Sequence, residues 1–313
     1  MSPSLWIVLA ASLAAASCAL VGCFLVLRRM SMLADAISHA VLPGIAIAFL
    51  LTSSRAPLPV MIGAAAIGLL ATTLIELLYR GAKLQQDASI GVTFTWLFAV
   101  GVILISAFAG QIDLDQECVL YGEIAYVPWD LWTLASGRSL GPRAVWILGF
   151  ALAVNATWIG LAWKELKLCA FDPELAASLG IPVGVFHYAL MGATSLTTVT
   201  AFESVGAILV VALIVGPAAT AYLLTEDLRR MVAIAIASGV SSAVLGYLLA
   251  RAVDGSIAGA IAVVIGLEFA LAFLFSPTHG IVTRGLRQST TREHRRSAAE
   301  RMLEADVEKD PRS

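Results

Sequence analysis

The chain has 313 residues, 59% of them hydrophobic and only 13% charged, with a mean hydropathy of +0.87 and a formal net charge of −2. A soluble domain carries about 25% charged residues, so a chain this apolar cannot hide its hydrophobic surface in a water-soluble core. The bilayer is then its main solvent, which predicts an all-α polytopic membrane bundle surrounded by lipid, with no nucleic-acid partner.

Read in chain order, the apolar runs predict spans at 4–27, 31–51, 59–79, 90–110, 143–163, 184–201, 204–224, 231–251 and 256–276. The sixth is short and polar, with Thr194, Ser195, Thr197, Thr198 and Thr200, and is expected to be broken or partly re-entrant. The count is therefore eight or nine. Leu20-Val21-Gly22-Cys23 resembles a lipoprotein cleavage box, but no basic residue precedes the apolar run. A retained first helix is expected instead. Cys18, Cys23, Cys118 and Cys169 form no CxxC pair and read as small buried hydrophobes.

Basic residues follow the odd-numbered spans: Arg28 and Arg29, Arg80 and Lys83, Lys164 and Lys167, Arg229 and Arg230, Arg284 and Arg287. Lys and Arg favour the cytoplasm, so the expected topology has the N-terminus outside and the C-terminus inside. Arg55, Arg138, Arg143 and Arg251 run against this bias. The longest outer segment, 111–142, is acidic and aromatic, with Glu123 among its acids. It reads as an interfacial loop, or as an acidic surface that attracts cations or docks a partner. Residues 1–280 form the expected transmembrane domain, and 281–313 a charged cytoplasmic tail.

The second span carries Asp35 and His39. Ionisable groups inside a span cost about 2.5–3.5 kcal/mol and usually face a bundle interior or a water-filled path. Spacing i, i+4 puts the two on one helix face. Carboxylate suits Mn²⁺ and imidazole suits Zn²⁺ and Fe²⁺, which makes the pair candidate ligands for a transported divalent ion. One helix supplies only two ligands, and a second copy would double them. Three readings stand on these residues alone: a packing pair, a proton relay, or a metal path. Pro43 removes the hydrogen bond to the His39 carbonyl and predicts a kink there. Ala36, Ala40 and Gly44 repeat at four-residue spacing and predict a close helix approach.

Residues 171–182 read as a complete short helix. Asp172 is its N-cap, Pro173 and Glu174 fill its first turn, Leu175 and Leu179 are apolar, and Gly180 with Pro182 stops it. Such a helix either links two spans or lodges in a groove of a cytoplasmic partner. No GxxxxGK[ST] phosphate loop occurs, so any ATP hydrolysis falls to another subunit and the chain is not expected to be an enzyme.

The segments LRRMSMLADAISHAVLPGIAIAFLL, DASIGVTFTWLFAVGVILIS, AFDPELAASLGI and FESVGAILVVALIVGPAATAYLLT, in that order, resemble the manganese/zinc/iron permease family of ABC importers, itself similar to the type II cobalamin importer class. The resemblance covers roughly residues 4–280. It implies a permease dimer in a bacterial inner membrane, two cytoplasmic ATPase subunits and an extracytoplasmic metal-binding protein. It implies that Asp35 and His39 line the path, that the 172–181 helix is the coupling helix, and that the ion is transported rather than held as a permanent cofactor. QECVLYGEIAYVPWD and FESVGAILVV look nearer to the manganese/iron branch than to the zinc branch.

Four acids and three histidines remain. Glu203 and Glu123 are possible admission or gating residues. Glu76 lies at a span end, Glu268 lies mid-span and is expected to pack at an interface, and His187 is expected to touch the ATPase. His279 is expected at the inner membrane surface, and His294 carries no assigned role. The alternative functions are a proton- or cation-coupled secondary transporter using the same Asp/His pair, and a non-transporting scaffold.

Overall fold

The computed structural model describes residues 2–52, 57–108, 124–133 and 139–276. Glu123, Cys118, His279 and the 281–313 tail lie outside these residues.

Helix α1 (Pro3–Leu27) is apolar all round and sits at the centre, packed against four other long helices. Its small residues Ala10, Ala11, Ala14, Ala15 and Ala19 let neighbours approach closely. The second predicted span divides into α2 (Met32–Ala40) and α3 (Leu42–Thr52), separated by a turn at Val41. Then come α4 (Pro57–Gly81) and α5 (Gln86–Phe108). A 3₁₀ turn (Ile124–Trp129) leads to a small antiparallel pair, β1 (Leu131–Thr133) and β2 (Ser139–Pro142). Next are α6 (Arg143–Leu161), α7 (Trp163–Phe171), α8 (Pro173–Ser178) and α9 (Val183–Val205). Finally, α10 (Ala207–Leu224), α11 (Leu228–Val253) and α12 (Ile257–Phe275) close the bundle.

Eight segments among the described residues are long and apolar enough to cross a membrane, counting α2 and α3 as one. The expected break in the polar sixth span does not occur, because α9 is one continuous helix of 23 residues. Its hydroxyls are satisfied locally: Thr194, Thr197 and Thr200 each donate 2.8 Å bonds to carbonyls one turn back. Asn155 of α6 adds a buried 2.6 Å bond to Thr197. Polar residues here tie helices together, as they do where no water competes. Gly206 joins α9 to α10 at φ 82°, a left-handed conformation that glycine adopts without strain.

Large apolar side chains such as Leu51, Ile62, Phe150 and Leu161 point outward, the inverse of a soluble fold. Arg28, Arg80 and Lys164 collect at one end of the bundle, here the basic end; the β-pair lies at the other. The predicted close approach is present: a Cβ on Gly44 would strike the Gly63 backbone, and Ala40 packs with Ala71 and Leu97.

Candidate functional site

The exposed stripe of α2 comprises Met32, Asp35 and His39; Leu33, Ala34, Ala36, Ile37, Ser38 and Ala40 are buried. The helix therefore turns its only ionisable pair toward an unfilled side of the subunit. His39 Nε2 lies 3.5 Å from Asp35 Oδ1, and the side chains are 33% and 37% exposed. Phe94 and Phe98 of α5 wall the imidazole, with ring centroids 6.0 and 5.9 Å away. No cluster of three or more His, Cys, Asp or Glu exists among the described residues. One subunit thus presents two donors of the borderline-hard type, held by an apolar floor and aromatic walls, with coordination capacity to spare.

Sequence spacing placed the pair within about 12 Å of the basic end of the second span. The structure sets it deeper. Phe94 and Phe98 lie about 12 to 18 Å from the start of α5, whose full length is about 33 Å at 1.5 Å per residue, so the imidazole is near mid-height. At the α1–α2 turn the Arg28 side chain reaches His187, four residues into α9.

Pro43 is buried immediately beyond the Val41 turn. It seats on Gly101 of α5, where any Cβ would fall 2.8 Å from the proline nitrogen and 2.9 Å from its Cδ. The discontinuity and its glycine seat fix the angle between α2 and α3.

At the basic end, α8 forms as its sequence signals dictate. Asp172 caps it by accepting a 2.9 Å bond from the Leu175 N–H, with Pro173 and Glu174 in the first turn. Gly180 closes it at φ 79°, its N–H bonding Ala177 while the Ile181 N–H bonds Ala176. Leu175 and Leu179 are exposed, so an apolar edge points away from the bundle.

His187, expected to touch the ATPase, is mostly buried between Arg28 and Glu76, 3.3 and 3.0 Å away. Glu268, expected to pack at an interface, lies against α11, where Ser238 and Ser241 donate to its carboxylate, the latter at 2.8 Å. Neither Asn155 nor the Arg28–His187–Glu76 grouping was foreseen, because residues far apart in the chain carry no periodic signal. At the far end, Glu203 lines a cavity of about 130 Å³ with Asp130, Tyr126 and Ser204. Burial accounts for Cys18, Cys23 and Cys169 as expected.

The fold and site define a polytopic α-helical membrane protein with a half-open Asp/His face at mid-depth. The ABC 3 transport family matches residues 3–276, and the chain belongs to that family. It is 48% identical over 295 residues to the manganese transport system membrane protein MntD of Bacillus subtilis, covering 94% of this chain and 99% of that protein. It is 42% identical to the zinc transport system membrane protein TroD of Treponema pallidum, over 90% of this chain and 76% of that one. Among solved structures it resembles PsaBC from Streptococcus pneumoniae in complex with Fab, with a TM-score of 0.73 and 31% identity over 90% of this chain and 94% of that one.

Proposed function

We propose that the chain is the permease subunit of a binding-protein-dependent ABC importer that carries divalent transition-metal ions into a bacterial cytoplasm, with Mn²⁺ or Fe²⁺ preferred over Zn²⁺. The observation that carries this reading is the Asp35–His39 face: a carboxylate and an imidazole together at mid-depth, about a third exposed. The high identity to a manganese system protein supports the manganese preference. A second copy facing this one contributes its own Asp35 and His39, and four donors then suffice to hold a desolvated ion loosely enough for release.

In this reading the basic end is cytoplasmic, as the Lys and Arg bias requires. Two ATPase subunits bind there, and α8 seats its Leu175 and Leu179 edge in a groove of one of them. An extracytoplasmic binding protein delivers the ion at the opposite end, where Glu203 and Glu123 favour cation admission electrostatically. The Val41 turn and Pro43 direct the His39 carbonyl toward the path, giving the ion a further oxygen. Uptake of ⁵⁴Mn²⁺, ⁵⁵Fe²⁺ and ⁶⁵Zn²⁺ by cells expressing the whole transporter, with wild-type or Asp35→Ala permease, tests the proposal. ATP-dependent uptake lost in the variant is the expected result; uptake that persists when ATP is depleted marks a secondary transporter instead.

A further inference from the structure

A second histidine–carboxylate contact lies at the basic end and has no part in the ligand face. Arg28 Nη1, at the C-cap of α1, is 3.3 Å from His187 Nδ1 on α9. His187 Nε2 is 3.0 Å from Glu76 Oε2 on α4, and Arg80 forms an ion pair with the same carboxylate. A guanidinium has donors only, so His187 Nδ1 must accept. The imidazole is then neutral, with its proton on Nε2 and donated to Glu76. The result is a directed chain: Arg28 to His187 to Glu76, with Arg80 closing it.

This chain ties α1 to α4 by way of α9. Helix α1 packs on α9 and α9 on α4, but α1 and α4 scarcely touch. A cavity of about 370 Å³ lies against it, with Arg28, Glu76 and His187 on one side and Cys169 and Pro173, the first residue of α8, on the other. The corner is under tension. Arg28 Nη2 is buried without a hydrogen bond, and Arg29 holds φ 58°, a left-handed conformation costly for a residue with a Cβ. Arg28 and Arg29 also begin the turn into α2, so any movement there reaches Asp35 in the first turn of that helix.

The geometry points to an inner latch: the Arg28–His187–Glu76–Arg80 chain holds the basic ends of α1, α4 and α9 together, and displacement of α8 across the shared cavity breaks the His187–Glu76 bond and opens the path toward the cytoplasm. This rests on the importer reading above, with the basic end cytoplasmic. The latch residues are positioning residues; none of them touches the ion at Asp35 and His39.

Cys169 is a built-in reporter. It lines the cavity and is buried, and burial pushes its thiol above the ordinary range, so it reacts slowly in the closed state. The experiment uses inside-out membrane vesicles holding the complete transporter. A membrane-impermeant maleimide is added at fixed pH, with labelled sites assigned by mass spectrometry. Glu76→Ala and His187→Ala are expected to speed Cys169 labelling about tenfold, as expected for loss of a bond worth about 1.4 kcal/mol of local opening. His187→Gln, which still offers a donor and an acceptor, is expected to restore the wild-type rate. ATP added to wild-type vesicles is expected to shift the rate in the same direction as Glu76→Ala. The latch is overturned if Glu76→Ala leaves the rate unchanged, if ATP has no effect, or if the buried Cys18 and Cys23 label equally, which marks general loosening. Metal uptake by whole cells expressing the same transporter separates the two ideas. Uptake that needs Asp35 with unaltered Cys169 labelling removes the latch alone; uptake indifferent to Asp35→Ala removes the importer reading.

Discussion

Two histidine–carboxylate pairs built from the same chemistry sit in opposite circumstances. Asp35 and His39 lie one turn apart on α2, 3.5 Å from each other and about a third exposed, with aromatic rings for neighbours. Glu76 and His187 come from helices 111 residues apart in sequence, meet at 3.0 Å, and are flanked by two arginines. The first pair is under-satisfied and reachable, as the proposed ligand set requires. The second has a partner on each imidazole nitrogen and is mostly buried, which is the state of a structural clasp. Residue type alone does not separate a ligand from a fastener; the number of competing partners and the access to solvent do.

Four experiments break or sharpen that contrast. Asp35→Ala or His39→Ala is expected to reduce metal uptake beyond the roughly 10- to 100-fold seen when only outer partners of metal ligands are lost. Membrane abundance and melting temperature should stay near wild type, since the pair is about a third exposed. A fall in stability as large as the fall in uptake makes it a packing pair. For the second pair the order reverses. His187→Ala leaves Glu76 and Arg28 under-satisfied in a buried corner and is expected to cost about 2–4 kcal/mol. Thermal unfolding of the detergent-solubilised protein checks this, with His39→Ala losing far less.

Gly101→Leu forces a side chain into the seat of Pro43 and is expected to cost about 1–3 kcal/mol while misdirecting α2. Its companion, Pro43→Ala, relieves that seat and restores a helical bond, so uptake should fall more than the melting temperature; equal losses in both remove any transport role for the kink. The smallest effect belongs to Asp172→Ala, which removes the α8 cap at a cost of about 1 kcal/mol, local to that helix. Faster hydrogen exchange over residues 173–178 and fewer ions moved per ATP are the expected signs, and Asp172→Asn, which keeps an accepting oxygen, should recover both.

Local signals were read reliably from the chain. Asp172, Pro173 and Gly180 bracketed α8, and the cap bond from Leu175 is in place. Apolar run length found every long helix, because spanning the hydrocarbon core is a constraint on contiguous residues. The i, i+4 rule put Asp35 and His39 on one face. What local reading misjudged was α9, whose threonines suggested a broken span. Their hydroxyls return to the preceding turn and, through Asn155, to α6, so polarity is absorbed without breaking the helix. Glu268 was expected at an interface, but its serine partners lie on another helix and only the structure names them.

The sequence by itself determined that this is a membrane helix bundle, that Asp35 and His39 share a face, and that a capped helix stands between α7 and α9. These follow from composition, period and capping, which act over neighbouring residues. Only the tertiary structure decided the depth of the pair, the identity of α1 as the central helix, the Pro43–Gly101 seat and the fate of His187. Each of these depends on where one helix ends relative to another. Helices apolar on every side carry no mark of which neighbour they choose, and that choice rests on shape and on the few polar groups that must find one another away from water.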